Sequence, residues 1–333
     1  MHKVYSGIIA PLFLTFVLLS SMTACAQSQP SKTLPQIAPI TGTGPLVQPK
    51  NPKQFNFVVF GDSQGQENHP TLRAIFNDMD TTSNPKPSFA ISLGDIIRGE
   101  PIYPFNSEPI EENLQYALTI AKLAGIPMFN APGNHEMDDV ISTSPWTEMP
   151  SQQMRDVYEK VMGSAYGSFD FGDSHFIILN TEDVPPTGMK GPEPPMEFSY
   201  IGKTQLAQLK ADLDANKNKT HIFIAMHYPI HAYDPSRDNL YGESRQALID
   251  LFKNYKNISF VLASHEHQYY NPQDPNNVTT VRSFTAGDST RYLISGGAGA
   301  SFYHGQPQLW AFHHYLLFEV NGSNVNVTIK RVR

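Results

Sequence analysis

The chain has 333 residues, a formal net charge of −7 at pH 7 and a single cysteine, Cys25. The acidic balance argues against a protein that coats nucleic acid. One cysteine excludes an intrachain disulfide and thiolate metal ligands in the body. Any metal must be held by His, Asp, Glu, Asn or Gln, which suits harder divalent ions and iron, zinc or manganese. The length allows one large α/β domain or two small ones once a leader is removed.

Residues 1–25 read as an export signal. Lys3 supplies a positive start, and residues 8–19 form an apolar run too short for a comfortable membrane span. Met22-Thr23-Ala24-Cys25 resembles a bacterial lipobox, in which the cysteine receives lipid and becomes the mature N-terminus. Met22 stands where leucine is usual, so ordinary signal cleavage stays open as a second route. Either route predicts an exported protein of the bacterial envelope, periplasmic or anchored through lipid on Cys25. Residues 26–54 are rich in Pro, Thr, Gln, Gly and Ser without an apolar period, which predicts a flexible tether.

From 55 to 333 apolar runs alternate with amphipathic stretches, with no boundary that would split them. Phe57-Val58-Val59-Phe60 reads as a buried strand. Leu72, Ile75, Phe76 and Met79 then recur at helical spacing, with Pro70 suited to the first turn. Strands follow at 89–93, 175–180, 221–226, 258–263 and 291–295. Helical spacing marks Leu114 to Ala121, with Gly125 placed to end that helix. It recurs at Leu206, Leu209 and Leu213, and from Leu248 to Tyr255. Strands at 313–320 and 324–330 flank Asn321-Gly322, a hairpin signal. The alternation predicts an α/β fold with helices packed outside sheets. The proline- and glycine-rich stretch 184–196 and the polar stretch 268–291 read as rim loops that shape access.

Five apolar runs end, on the carboxyl side, in residues able to bind metal. They lead into Asp62 and Gln64, Asp95, Asn134 with His135, His227, and His265 with His267. In open α/β sheets ligands bind beyond the carboxyl ends of strands, so these loops can converge. Two hard cations need about this many donors, and such a pair activates water for attack on phosphorus. A negative chain still accepts an anionic substrate when cations dominate the local field.

The ordered set Gly61-Asp62, Gly94-Asp95, Gly133-Asn134-His135-Glu136, His227 and His265-Glu266-His267 resembles the calcineurin-like metallophosphoesterase superfamily, over roughly 55–330. The resemblance implies a β-sandwich of two mixed sheets flanked by helices. It implies two metal ions, manganese, zinc or iron, divalent or of mixed valence. Asp95 would bridge them. Asp62, His267 and Gln64 would complete one site; Asn134, His227 and His265 would hold the other. His135 would stand near the scissile phosphate, protonating the leaving oxygen or stabilising the transition state. The reaction implied is hydrolysis of a phosphate monoester or diester in a small substrate, with no protein partner predicted.

Three positions depart from the family pattern. Gln64 stands where most members carry His, a neutral and weaker ligand. Ser264 replaces the usual Gly before His-x-His, a mild steric change. Arg98 occupies the place of the tyrosine that marks a purple acid phosphatase. Arg98 and His304 are candidate substrate contacts, Arg98 being equally readable as a surface ion pair. Glu136 reads as support for its neighbours, His231 as a loop residue, His313 and His314 as structural, and Gly296 to Gly299 as a plain turn. Two further readings stand: a lipoprotein that keeps the fold as a binding module with weak or no turnover, and hydrolysis of another bond such as a thioester or pyrophosphate.

Overall fold

A computed structural model describes residues 33–41, 46–65, 70–82, 85–99, 106–140, 148–187, 189, 198–236, 239–302 and 309–332. The export signal with Cys25, and His304, lie outside the described residues.

Strands β1 (Gln54–Phe60), β2 (Ala90–Ser92) and β3 (Met128–Asn130) alternate with helices α1 (Pro70–Thr82) and α2 (Ser107–Ala121). A one-turn helix α3 (Asn134–Met137), a small hairpin β4 (Asp138–Val140) with β5 (Glu148–Pro150), and α4 (Gln152–Met162) follow. Next come β6 (Gly167–Phe171), β7 (Ser174–Ile178), α5 (Lys203–Ala215), β8 (His221–Ala225), α6 (Gly242–Phe252) and β9 (Ile258–Ala263). The remaining strands are β10 (Tyr269–Tyr270), β11 (Phe284–Thr285), β12 (Arg291–Ser295), β13 (His314–Asn321) and β14 (Asn324–Arg331).

Two mixed six-stranded sheets form, in the orders β11-β14-β13-β1-β2-β3 and β10-β12-β9-β8-β7-β6. Within them β1, β2 and β3 run parallel, as do β7, β8, β9 and β12. Phenylalanines from both inner faces fill the space between the sheets, Phe57, Phe89, Phe129, Phe176 and Phe223 among them. The rings pack in stacks and edges, as with Phe129 on Phe169 at 3.8 Å and Phe57 against Phe176 at 5.1 Å. A second core joins the first sheet's outer face to α1, α2 and α4, and a third joins the other sheet to α5 and α6. The result is the expected sandwich flanked by helices. Gly125 ends the turn after α2 in the left-handed region, φ 62°. Among the described residues no helix is long and apolar enough to cross a membrane.

Two expectations need correction. Residues 33–41, inside the stretch expected to be a tether, lie against the body. Gln36 bridges Ser168 on β6, and Thr41 bridges Met128 on β3. These are the end strands of the two sheets, so this strap crosses from one open margin to the other. Leu34 enters the third core, while Ile37 and Ile40 pack on the first and second. Three apolar residues spaced by three, with prolines between, give a sequence pattern of neither helix nor strand. Backbone pairing to strand edges holds the segment instead. The hairpin is also shifted by one. Asn321 pairs with Asn324, so Gly322-Ser323 make the turn, with Gly322 at φ 63°.

Candidate metal centre

The five loops converge as their order in the sequence predicts. Each follows the carboxyl end of a strand: Asp62 and Gln64 after β1, Asp95 after β2, Asn134 after β3, His227 after β8, and His265 and His267 after β9. Donor atoms of Asp95, His227 and His265 lie within 4.8 Å of one another, and so do those of Asp62, Asp95 and His267. Asp95 belongs to both groups. Its Oδ1 sits 3.4 Å from His227 Nε2, and its Oδ2 accepts from Gln64 Nε2 at 2.8 Å. Asn134 Oδ1 lies 3.0 Å from His227 Nε2, and His265 Nδ1 lies 3.2 Å from the same nitrogen.

The backbone is bent to make this happen. The non-glycine residues with positive φ, among those described, are Asp62, Gln64, Asp95, His265 and His267. Each such residue costs on the order of 1–3 kcal/mol, and such strain clusters where function fixes geometry. Close approach is needed too. A Cβ on Gly133 would stand 2.2 Å from Asp95 Oδ1. One on Gly296 would stand 2.2 Å from Asp62 Oδ2, so the glycine run after β12 is part of the site and more than a turn.

Neighbouring groups set the histidine tautomers. His227 Nδ1 lies 2.9 Å from the Leu93 carbonyl and 3.0 Å from Ser264 Oγ. Donation to that carbonyl leaves the Nε2 lone pair facing the centre. His267 Nδ1 lies 2.7 Å from the Ser301 carbonyl, so its Nε2 also faces inward. His135 Nδ1 meets the carbonyl of Arg98, and its Nε2 points to Asp95 Oδ2 at 3.7 Å. Gln64 turns its amide nitrogen toward Asp95 and His267, so a ligating oxygen requires the amide turned end for end.

Burial makes the charges uncomfortable without a cation. Both oxygens of Asp62 are buried and accept no hydrogen bond; the N–H groups of His265 and His267 lie near but out of hydrogen-bond geometry. Burial, then the charge of Asp95, drives the Asp62 carboxyl well above its ordinary range. Burial acts the same way on Asp95, but His227, His135 and His265 outweigh it and hold that carboxyl at about 2. Burial pushes His227 and His267 down to about 4, keeping the imidazoles neutral, as metal ligands must be. Two buried carboxylates, one of them without a well-formed hydrogen bond, beside neutral imidazoles aimed inward, fit divalent cations.

Two buried glutamates brace the centre from behind. Glu136 takes the N–H groups of Asp95 and Gly133 on one oxygen, at 2.9 and 2.8 Å, and that of Ile97 on the other, at 3.1 Å. This ties the β2 loop to the β3 loop. Burial and the charge of Asp95 raise Glu136 to about 7. Glu266 accepts the N–H groups of Tyr233 and Asp234, both at 2.9 Å, and fixes the loop beyond β8.

The sequence reading anticipated the role of Glu136 but gave none to Glu266, although both occupy metal motifs between or beside ligands. It also understated Ser264, whose hydroxyl donates to the Leu93 carbonyl at 2.7 Å and contacts His227. Arg98 is exposed and lines a cavity beside Gln64. His231 stacks edge-on against Tyr292, and His314 bonds Ser295 and Phe312, as structural residues do.

Known proteins resemble this chain in sequence and in fold. The chain is 25% identical over 217 residues to the serine/threonine-protein phosphatase CPPED1 of Pongo abelii, a match covering 62% of each chain. This chain thus spans about six-tenths of the length of that relative. A purple acid phosphatase from yellow lupin, Lupinus luteus, superposes with a TM-score of 0.56 at 15% identity, covering 85% of this chain and 53% of that one. A dimetal phosphatase from Danio rerio superposes with a TM-score of 0.56 at 14% identity, covering 83% of this chain and 96% of that one. These likenesses are in fold. Residues 55–269, which carry all five donor loops, match the model of the calcineurin-like phosphoesterases. By that match the chain belongs to the calcineurin-like phosphoesterase family.

Proposed function

We propose that this protein is a metal-dependent hydrolase of phosphate monoesters or diesters that uses two cations. The observation that carries the reading is the sharing of Asp95 between two inward-facing donor groups. Asp62, Gln64 and His267 would hold one ion with Asp95; Asn134, His227 and His265 would hold the other. When bound, the ions polarise a phosphoryl oxygen and lower the pKa of a water. The chain's own residues position and protonate. His135, hung from the Arg98 carbonyl with Nε2 at the mouth of the centre, supplies a proton to the leaving oxygen. Burial disfavours its charged form, but Asp95 and Glu136 outweigh that and raise its pKa, which suits a proton donor. Arg98 is suited to meet substrate charge at the rim.

The test joins composition to turnover. Purified protein supplied with manganese, zinc and iron is expected to hold about two ions per chain and to cleave a panel of phosphoesters. Less than about one ion per chain, with no turnover, would favour a binding module, a reading that Gln64 with its N–H turned inward supports. The lipobox-like Met22 to Cys25 supports export with lipid on Cys25. Palmitate labelling that survives in Cys25→Ala would refute the lipid.

A further inference from the structure

The residue after His227 is an aromatic with no exposed surface. Tyr228 belongs to the third core, between the second sheet and helices α5 and α6. Its N–H donates to Thr181 Oγ1 at 3.2 Å, which ties it to the loop beyond β7. Its ring lies against that of His265, with centroids 3.9 Å apart and planes inclined by 30°. The His227 ring stands nearly perpendicular to it, at 5.5 Å and 84°. One phenol ring therefore packs against both imidazoles of one half of the donor cluster. We infer that Tyr228 is a positioning residue, whose face fixes the His265 ring and raises the affinity of that half for a cation. The inference rests on the two-ion reading above.

A soft torsion argues for the positioning. The backbone at His265 lies in the left-handed region, φ 73°, which places its Cβ. The last torsion of a histidine joins a tetrahedral carbon to a planar ring, and its wells are broad. A ring held only at Cβ would wander, and its nitrogens with it. His227 and His267 are steadied by the carbonyls of Leu93 and Ser301. For His265 the flat contact with Tyr228 serves that purpose over a whole face. The cavity beside Gln64 borders His267 but not His265, so this support comes from the core side. His265 Nδ1 lies 3.2 Å from His227 Nε2, so a turned ring would disturb both donors.

Charge argues for the affinity. An imidazole bound to a dication gives up electron density, and its ring becomes positive. The face of a phenol carries the negative side of its quadrupole, so the stack strengthens when the ion binds. An aliphatic side chain would fill the space without that gain. Neither effect needs the hydroxyl, so phenylalanine should replace tyrosine here.

Tyr228→Leu and Tyr228→Met remove the ring and keep the site apolar, methionine adapting best to irregular space. Tyr228→Phe keeps the ring. The readouts are proton NMR of the His265 ring in metal-stripped and zinc-loaded protein, and titration of zinc against a competing chelator, resolved into two constants. Ring current should move the His265 ring protons of the wild type upfield. Tyr228→Phe should keep that shift, and the ring-less variants should abolish it. The constant for the His265 half should weaken about tenfold in whichever ring-less variant folds, and stay unchanged in Tyr228→Phe; the other constant should not move. Unshifted His265 protons in the wild type would overturn the inference, even if neither ring-less variant folds. So would unchanged constants in a folded ring-less variant, or Tyr228→Phe binding as weakly as Tyr228→Leu. A wild type with shifted protons that takes up no zinc would instead refute the two-ion reading and leave the ring contact standing.

Discussion

The two halves of the donor cluster are built differently. The half made by Asn134, His227 and His265 does not border the cavity. His227 and His265 are buried, and His227 is held by Leu93 and Ser264. The half made by Asp62, Gln64 and His267 opens into the cavity, carries a neutral amide where the family usually has imidazole, and rests on the Ser301 carbonyl. Rigid support favours tight, permanent binding, whereas an open half with a weaker ligand favours exchange. On the two-ion reading, the difference teaches that one position would be set among hydrogen-bonded imidazoles away from the cavity, while the other would face it.

Asp95→Asn strikes both halves at once and has the largest expected effect. Elemental analysis should find both ions gone and the phosphoester assay no turnover; retention of full metal content would show that Asp95 is not shared. Ser264→Ala should act on the His227 half alone. Loss of its hydroxyl from His227 and Leu93 is expected to weaken metal affinity there by about 10–100-fold, read by titration with a competing chelator. Gln64→His sharpens the contrast from the opposite side: it should tighten the open half by about tenfold and leave the other constant unchanged. Equal shifts in both constants would erase the distinction.

The smallest effect is in acid stability. His227 and His267 have folded pKa values of about 4, below the ordinary 6.5. Between those values the unfolded chain binds more protons than the folded one, so stability of metal-stripped protein should rise with pH there and fall as acid is added. His267→Asn should flatten this slope by removing one group, and denaturant midpoints measured from pH 7 to 4 would reveal it.

Much of the centre was legible because metal chemistry demands particular side chains at strand ends. Asp62, Asp95 and His267 are recognisable by type, order and the apolar run before each. What supports them was less legible. Ser264 and Glu266 act through one hydrogen bond to an imidazole and two to a distant loop, and neither leaves a periodic signal. Gly296 is needed because Asp62, from a strand more than two hundred residues earlier, and the backbone of His267 both approach it. Helices α1, α2, α5 and α6 followed from apolar spacing, whereas α4 and β6 did not stand out, their apolar positions lying among polar residues. The left-handed backbone at five donor positions has no sequence signature, since none of them is glycine.

The strap over residues 33–41 ties together the end strands of the two sheets. Leu34 is seated in a core, and Gln36 and Thr41 pair with β6 and β3, so the segment before the family match is part of the folded body. Cleavage anywhere before the strap would leave the fold intact, because the staple travels with the body.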